Sequence, residues 1–297
     1  MFLEGKPFNE RRKKKMKVYE IITNRIIEKL EAGIIPWHKS WHSVEGMPKN
    51  LITKKEYRGI NVFLLAMQRY ESPYWLSFKQ AQELGGNVKK AEKGTPVVFW
   101  NWLNQIDDEG NEKNIPFMRY YTVYNVAQCE NIDENRIPAI PAIHNDFDHI
   151  AECEAIIADM PNCPEIQQGK QRASYNPLSD IISIPRFDSF DTAEEYYSTL
   201  FHELTHSTGH GSRLNRLNNN VSSFGNEEYS KEELVAEMGA AFLCGFAGID
   251  NITINNSVAY IQGWLKALKD DKKLVIMAAA QAQKAADYIL MINKEVN

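Results

Sequence analysis

Three histidines and a glutamate stand close together in the stretch TLFHELTHSTGH, residues 199–210, of a chain with seven histidines in all. His202 and His206 are four residues apart, so on a helix their rings lie on one face, one turn apart. Two neutral imidazoles at this spacing can bind one metal cation, and Glu203 can take a proton from a water on that cation. The pattern predicts a metal-dependent hydrolytic site with Glu203 as the general base. The alternative is a polar helix end that is rich in histidine by chance.

A site with two histidine ligands needs a third protein ligand, and the next predicted helix offers two glutamates. In KEELVAEMGAAFLC, residues 231–244, Glu233 and Glu237 lie four residues apart among apolar neighbours. Buried carboxylates are costly unless a cation or hydrogen bonds receive them. The layout resembles that of gluzincin metallopeptidases, which implies that Glu233 is the third ligand and that Glu237 orients a ligand histidine. The reverse assignment is the alternative, and Glu232, one position away, is expected to face solvent.

His210 lies four residues after His206, but Gly209 between them is expected to end the helix. We therefore expect His210 to contact a ligand residue or the substrate, with direct binding of the metal as the alternative. Metzincins have a histidine six residues after the second ligand, and Ser212 at that position excludes this class. The expected ion is Zn²⁺, with Mn²⁺ or Co²⁺ as alternatives.

The bulk composition excludes several classes of protein. A chain of 297 residues with 43% hydrophobic residues is long enough for two domains, each with its own core. It has no apolar run that could span a bilayer, and the N-terminal MFLEGKPFNERRKKKMK lacks the apolar core of a secretion signal. Four cysteines without a CxxC pair are typical of a reduced compartment. We expect a soluble cytoplasmic protein that does not contact membranes.

Charge divides the chain into a basic and an acidic half. Residues 1–130 carry a net charge of +6 and residues 131–297 a net charge of −11, which indicates different partners for the two halves. The segment ENIDENRIPAIPAIHNDFD, residues 130–148, has two prolines and the polar composition of a linker. We therefore predict a first domain, a linker and a second domain at residues 1–135, 136–147 and 148–297.

Residue periodicity predicts an α+β first domain and a mostly helical second domain with a small sheet. KVYEIITNRIIEKLEA, NVFLLAMQRY and SFKQAQEL have helical spacing of apolar residues. TPVVFWNWL and FMRYYTVYNVAQ have the β-branched and aromatic residues of strands, and the polar loop between them predicts a hairpin. In the second half SDIISIP indicates a strand, and five other periodic segments indicate helices.

Five of the six tryptophans lie in the basic half, with lysines and arginines among them. Binding to a single strand needs this combination, because bases stack on aromatic rings while cations meet phosphates. The alternative is that the aromatic residues are core and the basic runs are solvated. The predicted contacts to single-stranded DNA are Trp37, Lys39, Trp41, Lys54, Lys55, Arg58, Trp75, Lys79, Lys89, Lys90, Lys93, Trp100 and Trp102.

Signatures along nearly the whole chain resemble the ArdC-type antirestriction proteins of conjugative plasmids. In the first half they are IPWHKSW, PKNLITKKEYRGIN, WLSFKQAQELGGNVKKAEKGTPVVFW and YYTVYNVAQ. In the second half they are SDIISIPRFDSF, YYSTLFHELTHSTGH, EELVAEMGAAFLC and YIQGWLKAL. The resemblance implies an N-terminal domain that binds single-stranded DNA, joined to a zincin-like metallopeptidase domain. It also implies that the protein shields incoming plasmid DNA from the recipient's restriction enzymes.

Three functions fit these features. The first is an antirestriction protein with a peptidase site, whose protein or peptide substrate is unknown and could belong to the restriction system. The second is a zinc protease that acts on proteins bound to DNA. The third is a single-stranded-DNA-binding protein whose metal domain is purely structural. Glu203 favours a competent site, because a structural metal does not need a general base.

Overall fold

The computed structural model describes residues 8–37, 47–106, 112–139, 149–217, 227–251 and 258–292. Over these ranges the chain has the predicted α+β architecture, with a mixed first half and a mostly helical second half. Lys39, Trp41 and the side chain of Trp102, three of the predicted DNA contacts, lie outside the described part. In the described ranges no helix has both the length and the apolar character needed to cross a membrane.

The first half contains three helices, α1 (Phe8–Glu31), α2 (Ile60–Ala66) and α3 (Phe78–Glu83). Its strands are β1 (Lys49–Asn50), β2 (Tyr74–Ser77), β3 (Asn87–Val88), β4 (Thr95–Ile106), β5 (Glu112–Asn125) and β6 (Cys129–Glu130). Four of them form a sheet in the order β1-β2-β5-β4, while β3 pairs with β6. β1 runs parallel to β2, and the other pairs are antiparallel.

The predicted hairpin is confirmed as β4 and β5, which pair along the whole of β4 and up to Val123 of β5. β4 lies at the edge of the sheet, where unpaired backbone groups could bind a further strand. Asn61 closes part of this edge, because its side-chain amide donates to the Val98 carbonyl at 2.8 Å and its side-chain oxygen accepts from the Val98 N–H at 2.7 Å. The backbone groups of Val98 are therefore already bonded at this edge.

The second half begins with α4 (His149–Asp159) and a three-stranded sheet of β7 (Glu165–Gln168), β8 (Ser174–Asn176) and β9 (Ile181–Ile184). The strand order is β7-β9-β8, with β9 parallel to β7 and antiparallel to β8. Four helices follow: α5 (Ala193–Ser207), α6 (Glu227–Ala247), α7 (Val258–Asp270) and α8 (Leu274–Ile289).

The two halves share one hydrophobic core. Buried apolar residues of α1 and α2 belong to the same cluster as those of α5, α6, α7 and α8. Trp37, which follows α1, is fully buried between two rings from different halves. Its ring centroid lies 5.2 Å from that of Trp264 on α7 and 6.4 Å from that of Phe63 on α2. Each half therefore depends on the other for part of its buried surface.

Polar contacts also join the halves. Thr23 of α1 donates to the Lys272 carbonyl at 2.6 Å, and the Gly59 N–H donates to the side chain of Gln283 at 3.0 Å. Arg58 forms an ion pair with Asp287 on α8. The linker predicted at residues 136–147 stays a prediction, and residues 140–148 lie outside the described part.

Candidate functional site

Helix α5 presents the histidine motif from a buried position. Thr192 caps its N-terminus by accepting a hydrogen bond from the Glu195 N–H at 3.2 Å. The acidic residues of the first turn stabilise the helix further, because the N-terminal end of its dipole is positive. The helix ends at Ser207, and Gly209 stands in the turn that follows. A Cβ on Gly209 would lie 2.5 Å from Leu217 Cγ, so glycine allows this turn to fold back tightly.

Three side chains from α5 and α6 converge where the sequence predicts a metal. His202 Nε2 lies 3.1 Å from His206 Nε2, and the two oxygens of Glu233 lie 3.5 Å and 3.4 Å from these nitrogens. Among the described residues, these three are the group whose donor atoms could hold one ion. Ligands at about 2.0–2.1 Å from a tetrahedral zinc stand about 3.3–3.4 Å apart, so the donor spacing fits the ion.

The surroundings of this group are acidic and largely buried. His202, Glu203, Glu233 and Glu237 are all buried. Burial by itself lowers the pKa of His202, but Glu233 and the charges of Glu237 and Glu203 together outweigh it and raise that pKa above its ordinary value. Burial also lowers the pKa of His206, yet hydrogen bonds to Glu232 and Glu233 raise it well above the ordinary value. The site therefore favours positive charge, which a divalent cation also supplies.

Glu237 and Glu232, the neighbouring glutamates, each differ from the prediction. Glu237 lies beside His202 as expected, but its oxygen is 3.8 Å from His202 Nδ1, which is too long for a hydrogen bond. The prediction that Glu232 faces solvent is wrong. Its side chain is 15% exposed, it lies 3.2 Å from His206 Nδ1, and it pairs with Arg216. Arg216 comes from an irregular turn, so no periodicity in the sequence indicated this contact.

His210 lies away from the donor group. It stands in the turn after α5, where its Nδ1 is 2.8 Å from Ser212 Oγ. It is not part of the described cluster that could hold an ion, so the geometry gives no support to His210 as a metal ligand. Contact with a substrate stays a prediction.

Two of the predicted DNA contacts are core residues. Trp37 is 0% exposed and Trp75 is 2% exposed, so neither offers a ring face on which a base could stack. Trp75 packs with Tyr70 at 5.6 Å between ring centroids, in a small cluster on one face of the sheet. These two predictions are corrected, because a count of tryptophans does not distinguish core rings from surface rings.

The predicted cations lie mainly at the surface. Arg58 is half-buried in its ion pair with Asp287 and is therefore part of the contact between the halves. Lys89 donates to the Ala127 carbonyl at 2.9 Å, and Lys79 pairs with Glu83 at 3.5 Å. The predicted lysines with described side chains are all exposed: Lys54, Lys55, Lys79, Lys89, Lys90 and Lys93.

The hairpin carries aromatic residues that the sequence prediction omitted. Phe99 and Tyr121 contact each other edge to face at 5.6 Å between ring centroids, and both are exposed. Arg119 pairs with Phe99 across the strands, so all three lie on one face. Alternation along the strand could have indicated this face, but the register that joins β4 to β5 is not readable from either strand alone.

Trp100 and Tyr120 lie on the opposite face of the hairpin and are also exposed, Trp100 by 46%. The register pairs Trp100 with Met118 and Tyr120 with Val98, which makes the two exposed rings diagonal neighbours on this face. We call Phe99, Trp100, Arg119, Tyr120 and Tyr121 the aromatic hairpin. It has exposed rings on both faces, and its cation lies on the face of Phe99 and Tyr121.

Two histidines on one helix and a glutamate on the next define a zincin-like metallopeptidase domain, and a model of that family matches residues 151–281. Such a domain implies zinc. A second model, the N-terminal domain of anti-restriction factor ArdC, matches residues 16–124. The chain belongs to the ArdC antirestriction family. The predicted family and fold class are thereby confirmed.

Solved structures of the antirestriction protein ArdC from plasmid R388 resemble the whole fold. The metal-free form has a TM-score of 0.74 at 40% identity and covers 92% of this chain and 96% of that chain. The Mn(II)-bound form has a TM-score of 0.73 at 36% identity and covers 93% of this chain and 99% of that chain. The relative therefore binds a divalent ion other than zinc.

Three further proteins are similar to this chain in sequence. An Escherichia coli DNA primase, TraC, is 33% identical over 301 residues, which are 93% of this chain and 27% of the primase. A second TraC primase from the same organism is also 33% identical, over 97% of this chain and 21% of the primase. The chain thus spans about a quarter of these primases. The uncharacterized protein y4eC of Sinorhizobium fredii is 31% identical, over 92% of this chain and 91% of y4eC.

Proposed function

We propose that this chain binds single-stranded DNA, protects incoming plasmid DNA from restriction, and hydrolyses peptide bonds at the metal centre. The observation that carries the enzymatic part is the convergence of His202, His206 and Glu233, with donor atoms 3.1–3.5 Å apart. The ArdC family supports the protective part. Zinc is the proposed ion, and the Mn(II)-bound relative supports manganese as an alternative.

Each residue of the centre has one role. His202, His206 and Glu233 would hold the cation, which when bound lowers the pKa of a water and polarises a carbonyl group. Glu203 is buried beside His202 and interacts with it electrostatically. It takes the proton of the attacking water and passes it to the leaving amine. Burial of the site strengthens these charge interactions, because the local dielectric constant is low.

A purely structural metal site is the competing explanation. Such a site would gain nothing from Glu203, whose buried carboxylate is costly to keep. Glu203→Gln separates the two explanations, because glutamine cannot accept the proton while the three ligands are unchanged. We expect this variant to keep its zinc and to lose cleavage of a denatured protein substrate. Cleavage at the wild-type rate would show that Glu203 is not the base.

The DNA-binding part is supported by the aromatic hairpin and by the +6 net charge of residues 1–130. Bases in a duplex are already stacked, so rings such as Phe99 and Tyr121 can stack only on an unpaired strand, each contributing about 1–3 kcal/mol. Arg119 on the same face can meet a phosphate or a base. The net charge of −11 on residues 131–297 repels DNA and favours binding at the other half.

Fluorescence anisotropy with the full-length chain tests this part. We expect tighter binding to a single strand than to a duplex, and a roughly 5- to 150-fold loss of affinity in Phe99→Ala. Phe246→Ala is the matched control, since Phe246 is also an exposed phenylalanine but lies on α6. Equal affinity for both forms of DNA, or equal losses in the two variants, would contradict the proposed surface.

A protease that acts on DNA-bound proteins remains a second candidate, because it shares both sites. A restriction-protection assay in cells, with wild type, Glu203→Gln and Phe99→Ala, distinguishes the candidates. Protection lost in Phe99→Ala and kept in Glu203→Gln would assign protection to DNA binding. Protection lost in both would make a component of the restriction system the favoured peptidase substrate.

A further inference from the structure

We propose that Arg216 and Glu232 act as a positioning pair that fixes the ring of His206 and thereby sets metal affinity. Neither residue belongs to the donor group, and the inference rests on the proposed metal centre. It assigns a role to two mostly buried charges, 11% and 15% exposed, that the hydrolytic steps do not use.

The first observation is the orientation of His206. Its Nε2 faces the donor group, 3.1 Å from His202 Nε2 and 3.4 Å from Glu233. Its Nδ1 faces the other way, 3.2 Å from Glu232 Oε1. A carboxylate can only accept, so in the neutral ring that binds a metal Nδ1 carries the proton and Nε2 keeps its lone pair. Glu232 therefore selects the ring tautomer that a ligand histidine needs.

The second observation is the attachment of Glu232 itself. Arg216 Nε donates to Glu232 Oε2 at 2.8 Å and Arg216 Nη2 donates to Glu232 Oε1 at 2.7 Å. This is a bidentate ion pair, which we also call the two-point grip. Nη2 also donates to the Thr205 carbonyl at 2.9 Å, and Nη1 donates to Thr208 Oγ1 at 3.0 Å. The Glu232 carboxylate is thus fixed to the end of α5, the helix that carries both histidines.

The third observation is the fold of the turn that brings Arg216 close to Glu232 and the end of α5. The turn after α5 folds back on the helix, with the Leu214 N–H bonded to the Thr208 carbonyl at 2.9 Å and the Leu217 N–H bonded to the Gly209 carbonyl at 2.8 Å. Arg216 lies between these two residues. Its side chain is 11% exposed, so water competes little for its hydrogen bonds.

The two histidines are therefore held differently. His206 has a charged and fully bonded support, whereas His202 Nδ1 has no hydrogen-bond partner and lies 3.8 Å from Glu237. Without Arg216, Glu232 would lose both hydrogen bonds that hold its carboxylate, and its charge would repel the carboxylate of Glu233, the next residue. We infer that the Arg216–Glu232 pair determines how well His206 is placed before metal binds.

Zinc affinity of full-length variants, measured by competition with a chromophoric chelator, tests the pair. We expect Arg216→Ala to weaken zinc binding by about 10- to 100-fold, the range found when partners of ligand histidines are removed. Arg216→Lys, which keeps the charge and loses the two-point grip, should fall between this variant and wild type. Arg186→Ala is the matched control, because Arg186 is an exposed arginine that pairs with Asp188.

A second readout separates positioning from a general loss of fold. In the zinc-loaded protein, ¹H–¹⁵N correlation of the histidine rings should show a protonated His206 Nδ1 in wild type and its loss or shift in Arg216→Ala. Unchanged zinc affinity and unchanged ring signals in both Arg216 variants would overturn the inference. Wild type that binds no zinc would instead contradict the metal centre itself, so the two failures are distinguishable.

Discussion

Gly239 of α6 lies directly against Thr205 of α5, so closely that a Cβ on Gly239 would stand 2.4 Å from Thr205 Cγ2. These two residues set the distance between the helices that carry the candidate ligands. Thr205 lies next to His206, and Gly239 lies two residues after Glu237. The close approach therefore brings the glutamates of α6 within reach of the histidines of α5.

Gly239→Ala should push the two helices apart. We expect a loss of about 1–3 kcal/mol in the free energy of unfolding, from overpacking, together with weaker zinc binding. Gly263→Ala on α7 is the control, because a Cβ there meets nothing within 4 Å and alanine favours a helix. Urea denaturation with and without zinc measures both effects. Equal stability of the two variants would show that the contact is not needed.

The roles of the two glutamates on α6 can be separated by zinc affinity. Glu233→Ala should weaken zinc binding more than Glu237→Ala does, because Glu233 lies 3.4 Å and 3.5 Å from the two histidine nitrogens while Glu237 is 3.8 Å from His202 Nδ1. Loss of Glu237 is expected to cost at most about 10- to 100-fold. A larger loss in Glu237→Ala than in Glu233→Ala would reverse the assignment.

Removal of the second half should destabilise the first. In a fragment of residues 1–135, Trp37 and Phe63 would lose Trp264 and Phe242, the rings they pack against in the full chain. We expect this fragment to bind a hydrophobic dye and to unfold without a cooperative transition. A fragment that unfolds cooperatively, with the stability of the full chain, would show that the shared core is dispensable.

The salt dependence of DNA affinity should distinguish the contribution of the lysines from that of the aromatic rings. Joint replacement of Lys89, Lys90 and Lys93 by alanine should flatten the plot of log affinity against log salt, because fewer counterions are released. Trp100→Ala should lower affinity and leave the slope nearly unchanged. Anisotropy titrations at several salt concentrations measure both. A changed slope in Trp100→Ala alone would contradict this division of roles.

The features that the sequence predicts well are those formed by residues close together in the chain. His202 and His206 share a face because of helix geometry, and the β4–β5 hairpin follows from two aromatic strands around a polar loop. Contacts between distant segments were not predictable. Trp37 and Trp75 are in the core because α7 and the sheet cover them, and Glu232 is only 15% exposed because Arg216 reaches it from an irregular turn. Strand register likewise decided which rings of the hairpin lie together.

The central claim is that His202, His206 and Glu233 hold one metal ion. The most direct test is titration of zinc into metal-free full-length protein, with wild type and His202→Ala compared by calorimetry. We predict one tight equivalent and a rise in the unfolding temperature for wild type, and neither for His202→Ala. Wild type that binds no zinc, or His202→Ala that binds it equally tightly, would contradict the account.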